Sequence, residues 1–174
     1  MLLFAHVGIA LGMARFARRL DLAFLALGSM LPDIIDKPMG WVIFGTPNNG
    51  RIFAHTLLFL LLVAALAFYL HSIAMASLAG GTFIHLVLDS MWVSPVILLW
   101  PILGGFPPAA HLDALSYIEM LLLGLRDPAV LVPELLGLAY LVYFVYERRQ
   151  SLGADLKPAL RCAIESLQVL FRGM

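Results

Sequence analysis

The most constraining feature of the sequence is a stretch of 37 residues, between Arg51 and Asp89, that contains no Asp, Glu, Lys or Arg. A helix that crosses a bilayer needs about 20 apolar residues, so this stretch is long enough for two. The sequence therefore predicts a helical hairpin of two membrane spans, at residues 53–74 and 76–93.

Composition supports a membrane protein. Hydrophobic residues make up 62% of the 174 residues and charged residues only 13%, whereas a soluble domain carries about 25% charged residues. A soluble domain of this size could not bury so much apolar surface, and the same composition excludes disorder. The formal net charge is zero, which argues against a nucleic-acid partner. The single cysteine excludes an internal disulfide and a cysteine-based zinc site.

The other apolar segments predict further elements of one all-α, polytopic membrane bundle. Residues 128–146 predict a third long span. The shorter elements are an N-terminal helical hairpin (2–13 and 20–31), a proline-broken re-entrant or interfacial segment (94–108), a surface helix (111–125) and an amphipathic C-terminal helix. We expect residues 1–150 to form the membrane-embedded catalytic bundle and residues 151–174 to form the amphipathic tail.

Arginines predict the orientation of the chain, because Lys and Arg favour the cytoplasmic side of a membrane. Arg15 and its neighbours follow the first predicted helix, and Arg148 and Arg149 follow the last long span. Both groups are cytoplasmic only if the first helix and the last span run inwards, which also places the C-terminus in the cytoplasm. The second helix and the 76–93 span then run outwards.

Six ionisable residues lie within or beside the apolar segments, where they are costly and therefore candidates for function. The arginine-based layout places all of them near the outer face: His6, Asp33, Asp36, His55, His85 and Asp89. His85 and Asp89 are four residues apart and share a helix face. Imidazole and carboxylate ligands without a thiol suit Zn²⁺, and also Mn or Fe. The sequence predicts one metal ion, or two bridged by a carboxylate.

Each of these residues also has an ordinary structural interpretation. A histidine within a span often makes a packing hydrogen bond, and His85 and Asp89 could bond to each other within one helix. Asp33 and Asp36 could serve turn chemistry around Pro32. All six residues are predicted near the same face of the membrane, which favours a metal site over six separate structural roles.

Residues outside this set have weaker assignments. Arg51 lies four residues before His55 and is predicted to hold a phosphate or carboxylate oxygen, or else to anchor at the interface. His111 is a candidate further ligand or proton carrier, and Glu119 a weaker one. We expect Asp36, Arg51 and His111 to take part in the reaction.

The motifs around these residues resemble those of the YdjM-like family of predicted membrane-bound metal-dependent hydrolases. They are an early histidine followed by GSMLPDIIDKP, GRIFAHTLLF, GTFIHLVLDSMW and LLWP, over roughly residues 1–101. The sequence departs from the family pattern twice. One extra residue separates Asp33 from Asp36, so which of them is the ligand stays open, and Gly50 replaces a leading histidine, which favours a single metal ion.

The resemblance implies an inner-membrane, metal-dependent hydrolase that uses a metal-activated water. We expect the substrate to be a lipid or lipid-linked molecule that enters from the bilayer, and the bond to be a phosphoester or ester. The alternative is an ion- or metal-binding transporter or channel-like protein, since intramembrane His and Asp also mark ion paths. A metal-stabilised scaffold is a third possibility.

Overall fold

The computed structural model describes residues 3–17, 19–45, 50–107 and 112–149. These residues form helices joined by turns and contain no strand, which confirms the all-α fold. The helices are α1 (Leu3–Met13), α2 (Leu22–Phe44), α3 (Leu57–Leu70), α4 (Ile73–Leu88), α5 (Pro95–Leu98), α6 (Ala114–Gly124) and α7 (Pro128–Arg149). The predicted tail, residues 151–174, and His111 lie outside the described residues.

Helix α2 is longer than the sequence predicted. The prediction ended this helix at residue 31 and placed Asp33 and Asp36 after it; the structure continues it through Pro32 and Pro38 to Phe44. Pro32 has no N–H for the carbonyl four residues earlier, that of Gly28. The hydroxyl of Thr82, on α4, lies 3.3 Å from that carbonyl oxygen and 3.0 Å from the carbonyl oxygen of Leu78, so its one proton is shared between the two acceptors. Both aspartates therefore project from a continuous helix.

The hairpin helices α3 and α4 are shorter than the predicted spans at 53–74 and 76–93. Phe53–His55 forms a 3₁₀ turn, and the Thr56 hydroxyl caps α3 by accepting the N–H of Phe59. With 14 and 16 residues, α3 and α4 are about 21 and 24 Å long, less than the roughly 30 Å hydrocarbon core of a bilayer.

Among the described helices, only α7 is both long and apolar enough to cross a membrane. The predicted bundle of three long spans is therefore not confirmed: the described residues contain one such helix, together with shorter apolar helices. The predicted surface helix is found as α6, which has no buried residue. The predicted re-entrant segment contains only the four-residue helix α5.

Helices α2 and α4 approach until their backbones touch. A Cβ atom on Gly28 would lie 2.1 Å from the carbonyl oxygen of Leu78, and one on Gly81 would lie 2.2 Å from that of Leu25. The two helices run parallel, because the N–H of Asp21 bonds Ser77 at one end and His85 bonds Ser29 at the other. Contact this close brings the carbonyls of α2 within reach of α4 side chains.

Helices α1 and α7 form the second close pair. A Cβ on Gly8 would lie 2.2 Å from the carbonyl oxygen of Gly137, and the Tyr140 hydroxyl donates to the carbonyl of Leu11 at 3.2 Å. The residue numbers of the contacting pairs increase in the same direction along both helices, so α1 and α7 are parallel. The relative directions of α1, α2, α4 and α7 thus agree with the layout predicted from the arginines.

The outer surface of the bundle is strongly apolar. Large hydrophobic side chains on α3 and α7 are exposed, among them Leu61, Phe68, Leu135 and Val142. Contiguous apolar surface of this kind is characteristic of a face that meets lipid or a partner. It is consistent with a chain whose helices lie in a membrane.

Candidate metal centre

Five of the six predicted ligands converge at one end of the bundle, and we refer to them as the His/Asp cluster: His6, Asp33, His55, His85 and Asp89. Their ligand atoms form two overlapping groups, in each of which all atoms lie within 4.8 Å of one another. His6, His85 and Asp89 form the first group, and Asp33, His55 and His85 form the second. The convergence that the layout predicted is therefore present, and His85 is shared by both groups.

The two central histidines have their tautomers fixed by fully buried acceptors. Nδ1 of His85 lies 2.7 Å from the carbonyl oxygen of Ser29, which can only accept, so Nδ1 carries the proton. Nδ1 of His55 lies 2.7 Å from the carboxylate of Asp36 and donates in the same way. In the neutral imidazoles both Nε2 atoms therefore present lone pairs.

These two lone pairs face each other. Nε2 of His55 and Nε2 of His85 are 3.2 Å apart, and both side chains are buried. Such an arrangement is repulsive unless a proton or a metal ion lies between the nitrogens. Two nitrogen ligands of a tetrahedral Zn²⁺, each about 2.0–2.1 Å from the ion, are separated by about 3.3 Å. The donor atoms thus fit a metal ion without a large rearrangement.

Asp36 is engaged differently from the other five predicted ligands. Its carboxylate is fully buried and accepts the backbone N–H groups of Ile52, Ala54 and His55 at 2.8, 2.8 and 3.1 Å. It accepts the ring proton of His55 as well. These four bonds use the oxygens that a metal would need, so the geometry makes Asp36 the residue that orients His55 rather than a ligand. Metal-ligating histidines commonly bond a carboxylate or carbonyl in this way.

Asp33 is the aspartate that faces the cluster. Its Oδ1 lies 3.7 Å from Nε2 of His55, while its Oδ2 forms an ion pair of 2.7 Å with Lys37. The side chain of Asp33 is 26% exposed and that of Lys37 is 40% exposed. The turn chemistry considered for the two aspartates is excluded, because both lie inside α2.

Asp89 joins the first group to Arg51. Its Oδ1 lies 3.2 Å from Nε2 of His6, and its Oδ2 lies 2.9 Å from a terminal guanidinium nitrogen of Arg51. The bond within one helix that was considered for His85 and Asp89 is a backbone bond, from the N–H of Asp89 to the carbonyl of His85. Arg51 is 46% exposed, so part of its side chain remains accessible beside the buried cluster.

A crevice between α1 and α2 leads to the cluster from the side. It has a volume of about 270 Å³ and is lined by Leu3, His6, Ser29, Met30, Asp33, Ile34 and Lys37. Its walls are mainly apolar, whereas His6 and Asp33 place two polar groups of the cluster in its lining. Lys37 adds a positive charge at its rim.

The remaining candidate residues lie elsewhere. His71 caps the end of α3 opposite to His55 and is exposed, so it takes no part in the cluster. Glu119 is an exposed residue of α6 and belongs to neither group of ligand atoms.

Two positions matter more than the sequence indicated. Ser29 acts through its backbone carbonyl, which a sequence pattern does not reveal. Glu134 lies within the predicted span 128–146; it is 5% exposed and its Oε2 accepts the N–H groups of Phe4 and Ala5. The available signal was one acidic residue nearly two turns inside a helix whose other charged residues lie at its C-terminal end.

The fold and the site define a class of protein: an all-helical chain with apolar, membrane-type helices and a buried cluster of His and Asp side chains at one end. Residues 1–152 match the model of the family described as YdjM inner membrane protein. Because the match covers most of the chain, the protein belongs to this family, and the resemblance of its motifs is confirmed. The family description also supports a membrane location. No curated protein and no solved structure matches the chain.

The geometry predicts that Asp36 and Asp33 differ sharply in their effect on stability. Asp36→Ala removes the acceptor of three buried N–H groups and should lower the free energy of unfolding by about 3 kcal/mol or more. Asp33→Ala loses one partly exposed ion pair and should cost less than about 1 kcal/mol. Thermal unfolding of the detergent-solubilised variants measures the difference. Equal destabilisation by the two substitutions would contradict the assignment.

Proposed function

We propose that this protein is an integral-membrane, metal-dependent hydrolase that cleaves a phosphoester or ester bond of a lipid or lipid-linked substrate. The observation that carries the proposal is the pair of buried Nε2 atoms, 3.2 Å apart, whose lone pairs face each other. Both imidazoles are held in that state by acceptors behind them. A divalent cation bound by these nitrogens would relieve the repulsion, as a shared proton also would.

The donor set supports Zn²⁺ first, with Mn or Fe as alternatives, because it contains imidazoles and carboxylates and no thiol. His85 belongs to both groups of ligand atoms. Because Nδ1 of His85 bonds the Ser29 carbonyl, its one remaining lone pair can bind only one ion. An ion held by Asp33, His55 and His85 would therefore leave His6 and Asp89 for a second ion. The proposal is for one or two ions.

The electrostatics of the site support an anionic substrate. Three carboxylates, those of Asp33, Asp36 and Asp89, lie with two cations, Lys37 and Arg51, which leaves one net negative charge. A single divalent ion reverses that sign. A site of net positive charge attracts a phosphate or carboxylate group and stabilises the charge that develops in hydrolysis.

The side chains have distinct roles in this proposal. When bound, a divalent ion lowers the pKa of a coordinated water towards neutrality and polarises the oxygen of the bond under attack. Asp36 and the Ser29 carbonyl hold the two imidazoles in their ligand tautomer. The half-exposed guanidinium of Arg51 binds an anionic oxygen of the substrate. Asp36 is thus a positioning residue, and the predicted reaction role of His111 stays a prediction.

The crevice between α1 and α2 supports a lipid substrate. Leu3, Met30 and Ile34 give it apolar walls, while His6 and Asp33 belong to the cluster. A chain lying against these walls brings its polar head to the cluster, and Lys37 is placed to bind an anionic head group. Entry from the side suits a substrate that is already dissolved in the bilayer.

A transporter is the alternative function, and the distribution of polar residues argues against it. An ion path across the bundle needs polar side chains along its length. Helix α3 and the first twelve residues of α4 contain no Asp, Glu, Lys, Arg or His. The cluster is confined to one end of the bundle, which favours a catalytic site over an ion-transport path. The crevice also gives the cluster an access route that a purely structural metal would not need.

Metal binding should depend on the cluster. Purified protein should contain about one or two equivalents of a transition metal, and His85→Ala and Asp89→Ala should lose most of it, because each removes a ligand. Elemental analysis after desalting measures this. His71→Ala is the matched control, since His71 lies at the other end of α3, and should keep the metal. Full retention in His85→Ala would refute the site.

Hydrolysis should be detectable with lipid extracts in mixed micelles. We expect release of phosphate or a head group that a chelator abolishes and added metal restores. Arg51→Ala should lower the rate by about 100-fold, because it removes a donor to the anionic group. Vesicle flux assays with the same preparation address the alternative. Metal-dependent ion flux without any lipid product would favour a transporter.

The proposal places the cluster near the outer face of the membrane and the C-terminus in the cytoplasm. Phe44 ends α2 beyond the cluster, and His71 lies at the opposite end of the bundle. In a Cys162→Ser background, an impermeant thiol reagent should label Phe44→Cys in intact cells, and should label His71→Cys only after permeabilisation. The reverse pattern would invert the orientation.

A further inference from the structure

A buried glutamate of α7 bonds to the start of α1. Oε2 of Glu134 accepts the backbone N–H of Phe4 at 3.0 Å and that of Ala5 at 3.3 Å. The residue is only 5% exposed. The first N–H groups of a helix have no partner within the helix, and a negative charge is favourable there. Glu134, on α7, therefore supplies a hydrogen-bond acceptor for two N–H groups at the N-terminus of α1.

The same face of α7 fixes α1 one turn further along. A Cβ on Gly137 would lie 2.1 Å from the carbonyl oxygen of Phe4, and one on Gly8 would lie 2.2 Å from that of Gly137. The two backbones are in direct contact, so α1 has little freedom to slide or rotate on α7. Glu134 and the glycine contact together determine where α1 begins.

His6 lies between these two anchors. It follows Ala5 directly and precedes Gly8 by two residues, and its side chain is 2% exposed. Its Nε2 lies 3.2 Å from Asp89, and its ring centroid lies 4.2 Å from that of His85. Loss of the Glu134 bonds would free the first turn of α1 and allow the imidazole to leave the cluster.

We infer that Glu134 is a positioning residue that holds His6 in the metal-binding geometry through the N-terminus of α1. The inference rests on the proposed function, because it concerns the same site. It assigns a role to an acidic side chain that lies outside both groups of ligand atoms. In this respect Glu134 does for His6 what Asp36 does for His55, but it acts through the backbone.

The two oxygens of Glu134 allow a conservative test. Oε2 makes both bonds, and Oε1 has no hydrogen-bond partner among the described residues. Glu134→Gln keeps an oxygen that can accept from Phe4 and Ala5, whereas Glu134→Ala removes it. Glu134→Gln should therefore retain the position of α1 that Glu134→Ala loses. Leu135→Ala is the matched control, since Leu135 is the next residue and is 55% exposed.

The first measurement is zinc affinity, by competition with a chelator. Glu134→Ala should weaken binding by about 10- to 100-fold, the usual effect of losing a residue that orients a ligand. Glu134→Gln and Leu135→Ala should stay within about threefold of the parent protein, well below that range. Unchanged affinity in Glu134→Ala would overturn the inference.

A double-mutant cycle separates positioning from general destabilisation. In a His6→Ala background, Glu134→Ala should cause no further loss of zinc affinity, because the ligand that it positions is already absent. If Glu134→Ala weakens binding by the same factor in both backgrounds, its role is merely structural and the inference fails.

A second readout does not need metal. His6 is buried, so modification by diethyl pyrocarbonate at this position, followed by mass spectrometry, should be slow in the parent and in Glu134→Gln and fast in Glu134→Ala. Parent protein that binds no zinc would refute the proposed function, while the modification pattern would still decide the positioning role. Equal protection of His6 in all variants would overturn that role.

Discussion

The buried carboxylate of Asp36 is the interaction on which the site depends. It projects from α2 and accepts three backbone N–H groups of the segment that precedes α3, together with the ring proton of His55. The segment forms only a single 3₁₀ turn, so the carboxylate satisfies N–H groups that would be costly to leave unpaired inside an apolar bundle. The same carboxylate sets both the position of His55 and its tautomer.

The convergence of the cluster could be predicted because it depends on helix direction alone. Charges near the helix ends gave the directions, and the contacts of α1 with α7 and of α2 with α4 agree with them. Helix lengths could not be predicted in the same way. The contacts that accompany the passage of α2 through Pro32 come from residues distant in sequence, such as the Thr82 hydroxyl, which lies 3.3 Å from the Gly28 carbonyl oxygen.

The roles of the two aspartates of α2 were also beyond a sequence pattern. Asp33 and Asp36 are the same residue type, three positions apart, and both suit a metal. Their roles separate because Asp36 faces the buried segment before α3, whereas Asp33 lies beside Lys37 and the crevice at 26% exposure. That difference is a property of the packed helices, so the sequence left both possibilities open.

The three histidines of the cluster are held by three different means. The Asp36 carboxylate holds His55, the Ser29 carbonyl holds His85, and the anchored first turn of α1 holds His6. Each imidazole therefore has a contact with the fold that orients it. Side chains that are already oriented lose less conformational freedom when they bind a ligand. The buried polar groups of this apolar chain therefore serve two purposes: some are candidate metal ligands, and others, such as Asp36 and Glu134, orient those ligands.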